Sequence, residues 1–142
     1  NTEDGRLILK FQDQAFKDPF IDRYVSDGTM KMFAYLILLF DPKPHPLLCV
    51  EEPENQLYPS LLHELAEEFA SYAHRGGQVF VSTHSPDFLN AVPLESIFWL
   101  TKEHGITKFS RAEDDPTLVN LVQAGDLPGY LWSQGWFEGV AP

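Results

Sequence analysis

Two acids that end an apolar run, and a histidine about thirty residues later, are the side chains here best placed to do chemistry. The run is Leu47-Leu48-Cys49-Val50-Glu51-Glu52-Pro53-Glu54, and the histidine lies in Ser82-Thr83-His84-Ser85-Pro86. A carboxylate at a strand end can orient a water or take its proton, and hard cations such as Mg²⁺ take oxygen ligands. An imidazole can donate to phosphate oxygens in either protonation state. A third segment, Val25-Ser26-Asp27-Gly28-Thr29, offers a hydroxyl, a glycine amide and the start of an apolar helix, which together make an anion-binding corner. Each has a plainer reading: a strand ending in a solvated acidic turn, a serine capping the next helix, and Ser26 or Asp27 as an ordinary N-cap.

The elements around these residues decide whether they can meet. Residues 7–12 read as a strand and 13–24 as a polar connection. Residues 29–40 are apolar nearly all round, between Asp-Gly and Asp-Pro, which predicts a buried helix. Residues 42–46 (PKPHP) form a loop. Residues 47–50 are wholly apolar, the pattern of a strand covered on both faces. Residues 59–74 carry Leu61, Leu62, Leu65, Ala66, Phe69 and Ala73 on one helical stripe, with Gly76-Gly77 at the exit. Residues 78–82 read as a second buried strand, 96–101 and 106–110 as later strands joined around His104-Gly105, and 117–123 as a short helix. Strand, helix and strand within about 36 residues predict a right-handed crossover between parallel strands. Ligands of such sheets sit beyond the carboxyl ends of the strands. If the two strands are neighbours, their ends lie roughly 5 Å apart and bring Glu51, Glu52 and His84 to one site.

In this order and spacing the motifs resemble those of ABC-type ATPases, in the form found in the SMC/RecF-like predicted ATPase family. Ser26-Asp27-Gly28-Thr29 resembles the signature sequence, the paired acids resemble Walker B, and Ser82-Thr83-His84 resembles the switch-histidine loop. Glu54-Asn55-Gln56-Leu57-Tyr58-Pro59 is similar to the loop after Walker B, usually Glu-Asn-Gly-Leu-His-Pro, with Gln56 and Tyr58 departing from it. Glu51 stands where the family usually has Asp. The resemblance covers residues 25–90 strongly and the C-terminus more loosely. It implies an α/β, P-loop NTPase-like C-terminal lobe with a mostly parallel sheet and flanking helices. Residues 1–24 would be a strand and connection, 25–41 the signature helix, 47–101 the Walker B to switch-histidine core, and 102–142 a tail. It implies Glu52 and His84 as catalytic residues, and Glu51 as a Mg²⁺ ligand through water. Ser26, Asp27 and Gly28 would contact the γ-phosphate of ATP in trans, across an ATP-dependent homodimer.

No G-x-x-x-x-G-K-S/T sequence occurs in the chain, so the backbone nest for the β-phosphate is lacking. The resemblance therefore implies a further partner, an N-terminal Walker A half of the same protein, without which this chain is inactive. Composition fits a folded domain: 142 residues, 44% hydrophobic and 22% charged. A net charge of −11 makes the chain itself a poor nucleic-acid binder and leaves DNA to other regions of a larger protein. The longest apolar run, 32–40, is about half a membrane span, and the single Cys49 excludes an internal disulfide. A cytoplasmic protein without a membrane partner is the expectation. His63-Glu64 lacks the second histidine of a zinc-protease helix. His45, His63, His74 and His104 read as exposed, and Trp99, Trp132 and Trp136 as core or packed tail. Two other functions remain open: a non-catalytic regulatory or assembly module of the same fold, favoured by Glu51, Gln56 and Tyr58, and a hydrolase binding metal directly through Glu51, Glu52, Glu54 and His84.

Overall fold

The computed structural model describes residues 8–12, 14 and 17–140. Its elements follow the chain as β1 (Lys10–Phe11), β2 (Phe20–Ile21), α1 (Asp27–Leu39), β3 (Leu47–Glu51), α2 (Ser60–His74), β4 (Gln78–Ser82), α3 (Pro86–Asn90), β5 (Phe98–Glu103), β6 (Ile106–Arg111), α4 (Pro116–Gln123) and α5 (Pro128–Ser133). The architecture is α/β. Leu7, Asp13, Ala15 and Phe16, parts of the expected first strand and connection, lie outside the described residues.

The crossover unit forms as its sequence dictates. β3 and β4 pair in parallel, Leu47 opposite Gln78 through Glu51 opposite Ser82. The connecting α2 buries Leu62, Leu65, Ala66, Phe69 and Tyr72, a stripe at helical spacing. That stripe meets Leu48, Val50, Val79 and Val81, the inward side of both strands. Tyr72, absent from the stripe read in the sequence, is fully buried and donates its hydroxyl to the His45 carbonyl at 3.2 Å.

Three expectations need correction. The sheet is not mostly parallel: the described strands form three two-stranded sheets, of which only β3–β4 is parallel. β5 and β6 are antiparallel because they are consecutive and turn directly at Glu103–Ile106, with His104 and Gly105 both at positive φ. Nor are β3 and β4 covered on both faces. Their burial alternates residue by residue, and Leu47 and Phe80 are about half exposed while Cys49 is exposed beside them. A run of apolar residues shows that a strand can be buried, but not that a second layer covers it. α1 is similarly one-sided. Met32, Tyr35 and Leu39 pack into the core, whereas Ile37 and Phe40 are exposed.

A second apolar cluster, Ile97, Ala112, Leu118, Leu131 and Phe137, lies behind the β5–β6 hairpin. Trp99 sits edge-on to Phe137 at 5.3 Å and donates its indole N–H to the Glu138 carbonyl; Trp136 is exposed instead of packed. The two clusters meet where α5 crosses α3, at Gly129. Its amide donates to Asn90 Oδ1 at 2.7 Å, and a Cβ there would lie 2.0 Å from the Pro86 carbonyl oxygen. Backbone must therefore move to admit a methyl group. Gly129→Ala is expected to destabilise the fold by about 1–3 kcal/mol, lowering the melting temperature by roughly 3–10 °C. Thermal unfolding followed by circular dichroism checks this, and an unchanged midpoint would refute the close approach.

Among the described residues no helix is long and apolar enough to cross a membrane.

Candidate functional site

The site is built where β3 and β4 end side by side. The parallel ladder continues one step past Glu51, the Glu52 amide donating to the Ser82 carbonyl at 2.8 Å. There the chain turns sharply, with Glu52 at φ 43°, a left-handed conformation that costs energy in a residue with a Cβ and commonly marks functional turns. The buried Pro53 follows, and the Asn55 and Leu57 amides bond back to the Glu52 and Glu54 carbonyls. The turn aims the acids differently. Glu51 lies on the open side of the sheet with Cys49 and Phe80. Glu52 turns toward the end of β4, where its Oε1 lies 3.9 Å from His84 Nε2. Its Oε2 accepts a 2.7 Å bond from the Asn55 side-chain amide.

Glu54 crosses to the same strand end. Its Oε1 accepts from the Thr83 hydroxyl at 2.8 Å and from the His84 amide at 2.9 Å. Its Oε2 is buried and has no hydrogen-bond partner. Burial, and then the nearby Glu54 charge, push the Tyr35 phenol above its ordinary pKa, since both oppose a phenolate there.

The N-terminus of α1 approaches the turn from the other side. Ser26 is the N-cap, its Oγ accepting from the Thr29 amide and lying 2.8 Å from the Thr29 hydroxyl. Asp27 sits in the first turn. Gly28 runs so close to the loop that a Cβ would be 2.3 Å from the Gln56 carbonyl oxygen. One turn further on, Lys31 Nζ donates to the carbonyls of Asn55 (2.9 Å) and Glu52 (3.2 Å). Ser26 and Gly28 line an apolar groove with Met32, Leu57 and Tyr58 rather than the acidic site.

The structure thus brings Glu52 and His84 together, sets Glu51 beside them on the open face, and holds Ser26, Asp27 and Gly28 on a neighbouring surface joined through the 52–57 loop. The plain reading of Ser26 as an N-cap holds, and a capping hydroxyl leaves other amides of the helix start free. Lys31 was missed in the sequence, although it is the lone charge in the apolar run 29–40. Glu54 was read only as part of the acidic loop and as a direct metal ligand, and its bonds to Thr83 and His84 left no local signal. Among the described residues no group of three His, Cys, Asp or Glu side chains could hold a metal ion, which removes support for direct metal binding by Glu51, Glu52, Glu54 and His84. His45, His63, His74 and His104 are exposed.

A family model described as "AAA domain, putative AbiEii toxin, Type IV TA system" matches residues 2–90. The fold is similar to a solved structure from work on ATP-driven dimerization and DNA-stimulated activation of SMC ATPases, with a TM-score of 0.53 and 16% identity over 75% of this chain and 67% of the other. No curated protein sequence matches the chain.

Proposed function

The chain belongs to this AAA-domain family, of ATPase type, and we propose that it is the γ-phosphate-facing lobe of an ATP-hydrolysing enzyme. One observation carries the reading: Glu52 and His84 end adjacent parallel strands with their side chains 3.9 Å apart. Hydrolysis of a phosphoanhydride asks little covalent chemistry of a protein, mainly positioning of water and stabilisation of charge. Glu52 supplies the acceptor for the attacking water, and the Asn55 amide fixes which oxygen faces it. His84 donates to a γ-phosphate oxygen. Mg²⁺ would neutralise phosphate charge, and Glu51, exposed at the strand end, fits a ligand reached through water. The donors present suit an ion held chiefly by phosphate and water rather than by a protein cage.

The phosphates themselves must be gripped elsewhere. No P-loop occurs in these 142 residues, and the open face of β3 and β4 is the surface we assign to a Walker A segment. The 142-residue chain alone is expected to show no tight ATP binding by titration calorimetry. Micromolar affinity would overturn this division of labour. The larger protein is expected to release phosphate from ATP only with Mg²⁺, measured by a coupled phosphate assay, and a protein inert under those conditions would leave the non-catalytic module standing.

Ser26, Asp27 and Gly28 are assigned to the γ-phosphate of an ATP held by a second copy. Three features support this: the signature-like sequence, the exposed start of α1, and the ATP-driven dimerization of the SMC ATPases. A net charge of −11 makes the chain itself a poor nucleic-acid binder, and any DNA contact is assigned to other segments of a larger protein.

A further inference from the structure

We infer that Glu54 is a positioning residue, whose carboxylate holds the His84 loop in register with Glu52; the inference rests on the ATPase reading above. The His84 side chain is 80% exposed, and among the described residues the charged partner near it is Glu52 at 3.9 Å. Little packing fixes an imidazole so placed, so its location follows that of its backbone. That backbone is set from the Walker B side. A single Glu54 oxygen accepts from the Thr83 hydroxyl and from the His84 amide itself. The Thr83 hydroxyl in turn accepts from the Ser85 amide at 3.0 Å, and Ser85 Oγ caps α3 by accepting from Phe88. An unbroken chain of hydrogen bonds therefore runs from the loop that carries Glu52, across the strand gap, through both neighbours of His84 and into the next helix.

The other carboxylate oxygen, Glu54 Oε2, is buried, and the Glu54 charge is close enough to Tyr35 to oppose its ionisation. The product of the Glu54 bonds is geometric. Glu52 and His84 come from different strands, and Ser82 O to Glu52 N is the last ladder bond between them; beyond it the Glu54 bonds join the two catalytic loops. A water held between carboxylate and γ-phosphate tolerates little displacement of either group.

The test uses the ATP-hydrolysing full-length protein with Glu54→Ala, Glu54→Gln and Thr83→Val variants, and Glu52→Gln as the control. Glu54→Ala is expected to lower kcat about tenfold or more, the scale of a lost charge-assisted bond, while KM for ATP changes less than about threefold. Glu54→Gln retains an acceptor oxygen and should recover most of the rate. Thr83→Val, which removes one of the two donors, should fall between. With ¹⁵N-histidine labelling, the His84 amide should exchange faster in Glu54→Ala and remain protected in Glu54→Gln. Wild-type turnover that Glu52→Gln abolishes but Glu54→Ala leaves unchanged would overturn the inference and spare the ATPase reading. Equal losses in Glu54→Ala and Glu54→Gln would overturn it too, since charge and not the bonds would then matter. A wild-type protein without turnover would overturn the ATPase reading itself. If Glu54→Ala does not fold, Thr83→Val with unchanged kcat and unchanged His84 exchange decides against the positioning role.

Discussion

Glu52→Gln is expected to reduce ATP turnover by a factor of about 10²–10⁴, the range for losing a positioned general base, with KM nearly unchanged. The substitution is nearly isosteric, and the turn should survive it. The φ of 43° at Glu52 belongs to the backbone, and a glutamine oxygen can still accept the Asn55 amide. The amide group then has only its NH₂ to direct toward His84 and the water site, where the carboxylate had an acceptor. A donor there cannot take a proton from the attacking water or orient its lone pair at phosphorus. Binding determinants outside the turn are untouched, so the loss falls on kcat, the signature of an interaction made in the transition state. ATP should therefore persist on the variant, and ATP-bound protein should accumulate. Phosphate release under saturating Mg²⁺-ATP measures the effect, and turnover equal to wild type would remove Glu52 from the catalytic role.

That Glu52 can be singled out reflects how local its signals are. Four apolar residues followed by acids give a strand and its end, and one crossover helix fixes the next strand as its parallel neighbour. Glu52 and His84 could thus be brought together from sequence order alone, as could the α2 stripe and the β5–β6 hairpin around His104-Gly105. What the sequence withheld is of two kinds. The bonds of Lys31 to the 52–57 loop and of Glu54 to Thr83 and His84 span 21 to 30 residues, and no periodicity encodes them. The open faces of α1 and of β3–β4 were hidden for the opposite reason. Their composition reports what each element can bury, whereas exposure depends on which other segments are present to cover it. The same ambiguity affected Cys49 and Trp136, apolar by type and exposed in fact.

The second large effect is expected at the other end of the proposed interface. Ser26→Arg should weaken ATP-dependent dimerisation at least tenfold while leaving the fold largely intact. Two physical changes coincide in this variant. Losing the N-cap hydroxyl, which now accepts from the Thr29 amide, costs α1 about 0.5–2 kcal/mol. Placing a guanidinium at the positive end of the helix is also unfavourable by roughly 0.3–1 kcal/mol. Neither is large enough to unfold a helix anchored by Tyr35 and Leu39 against Phe69 and its neighbours. The steric change is decisive instead. Ser26 is exposed at the mouth of the groove lined by Met32, Leu57 and Tyr58, so a long charged side chain adds bulk and charge at the surface assigned to the other copy's γ-phosphate. Ser26→Ala separates bulk from the rest, since it removes the hydroxyl, both as cap and as the contact assigned to the γ-phosphate, without adding a long side chain. Light scattering after size exclusion, with ATP in a Glu52→Gln background that prevents turnover, is the direct measurement. Ser26→Ala should dimerise more weakly than the parent and Ser26→Arg should remain monomeric. Normal dimerisation of Ser26→Arg would show that the start of α1 does not face a second copy.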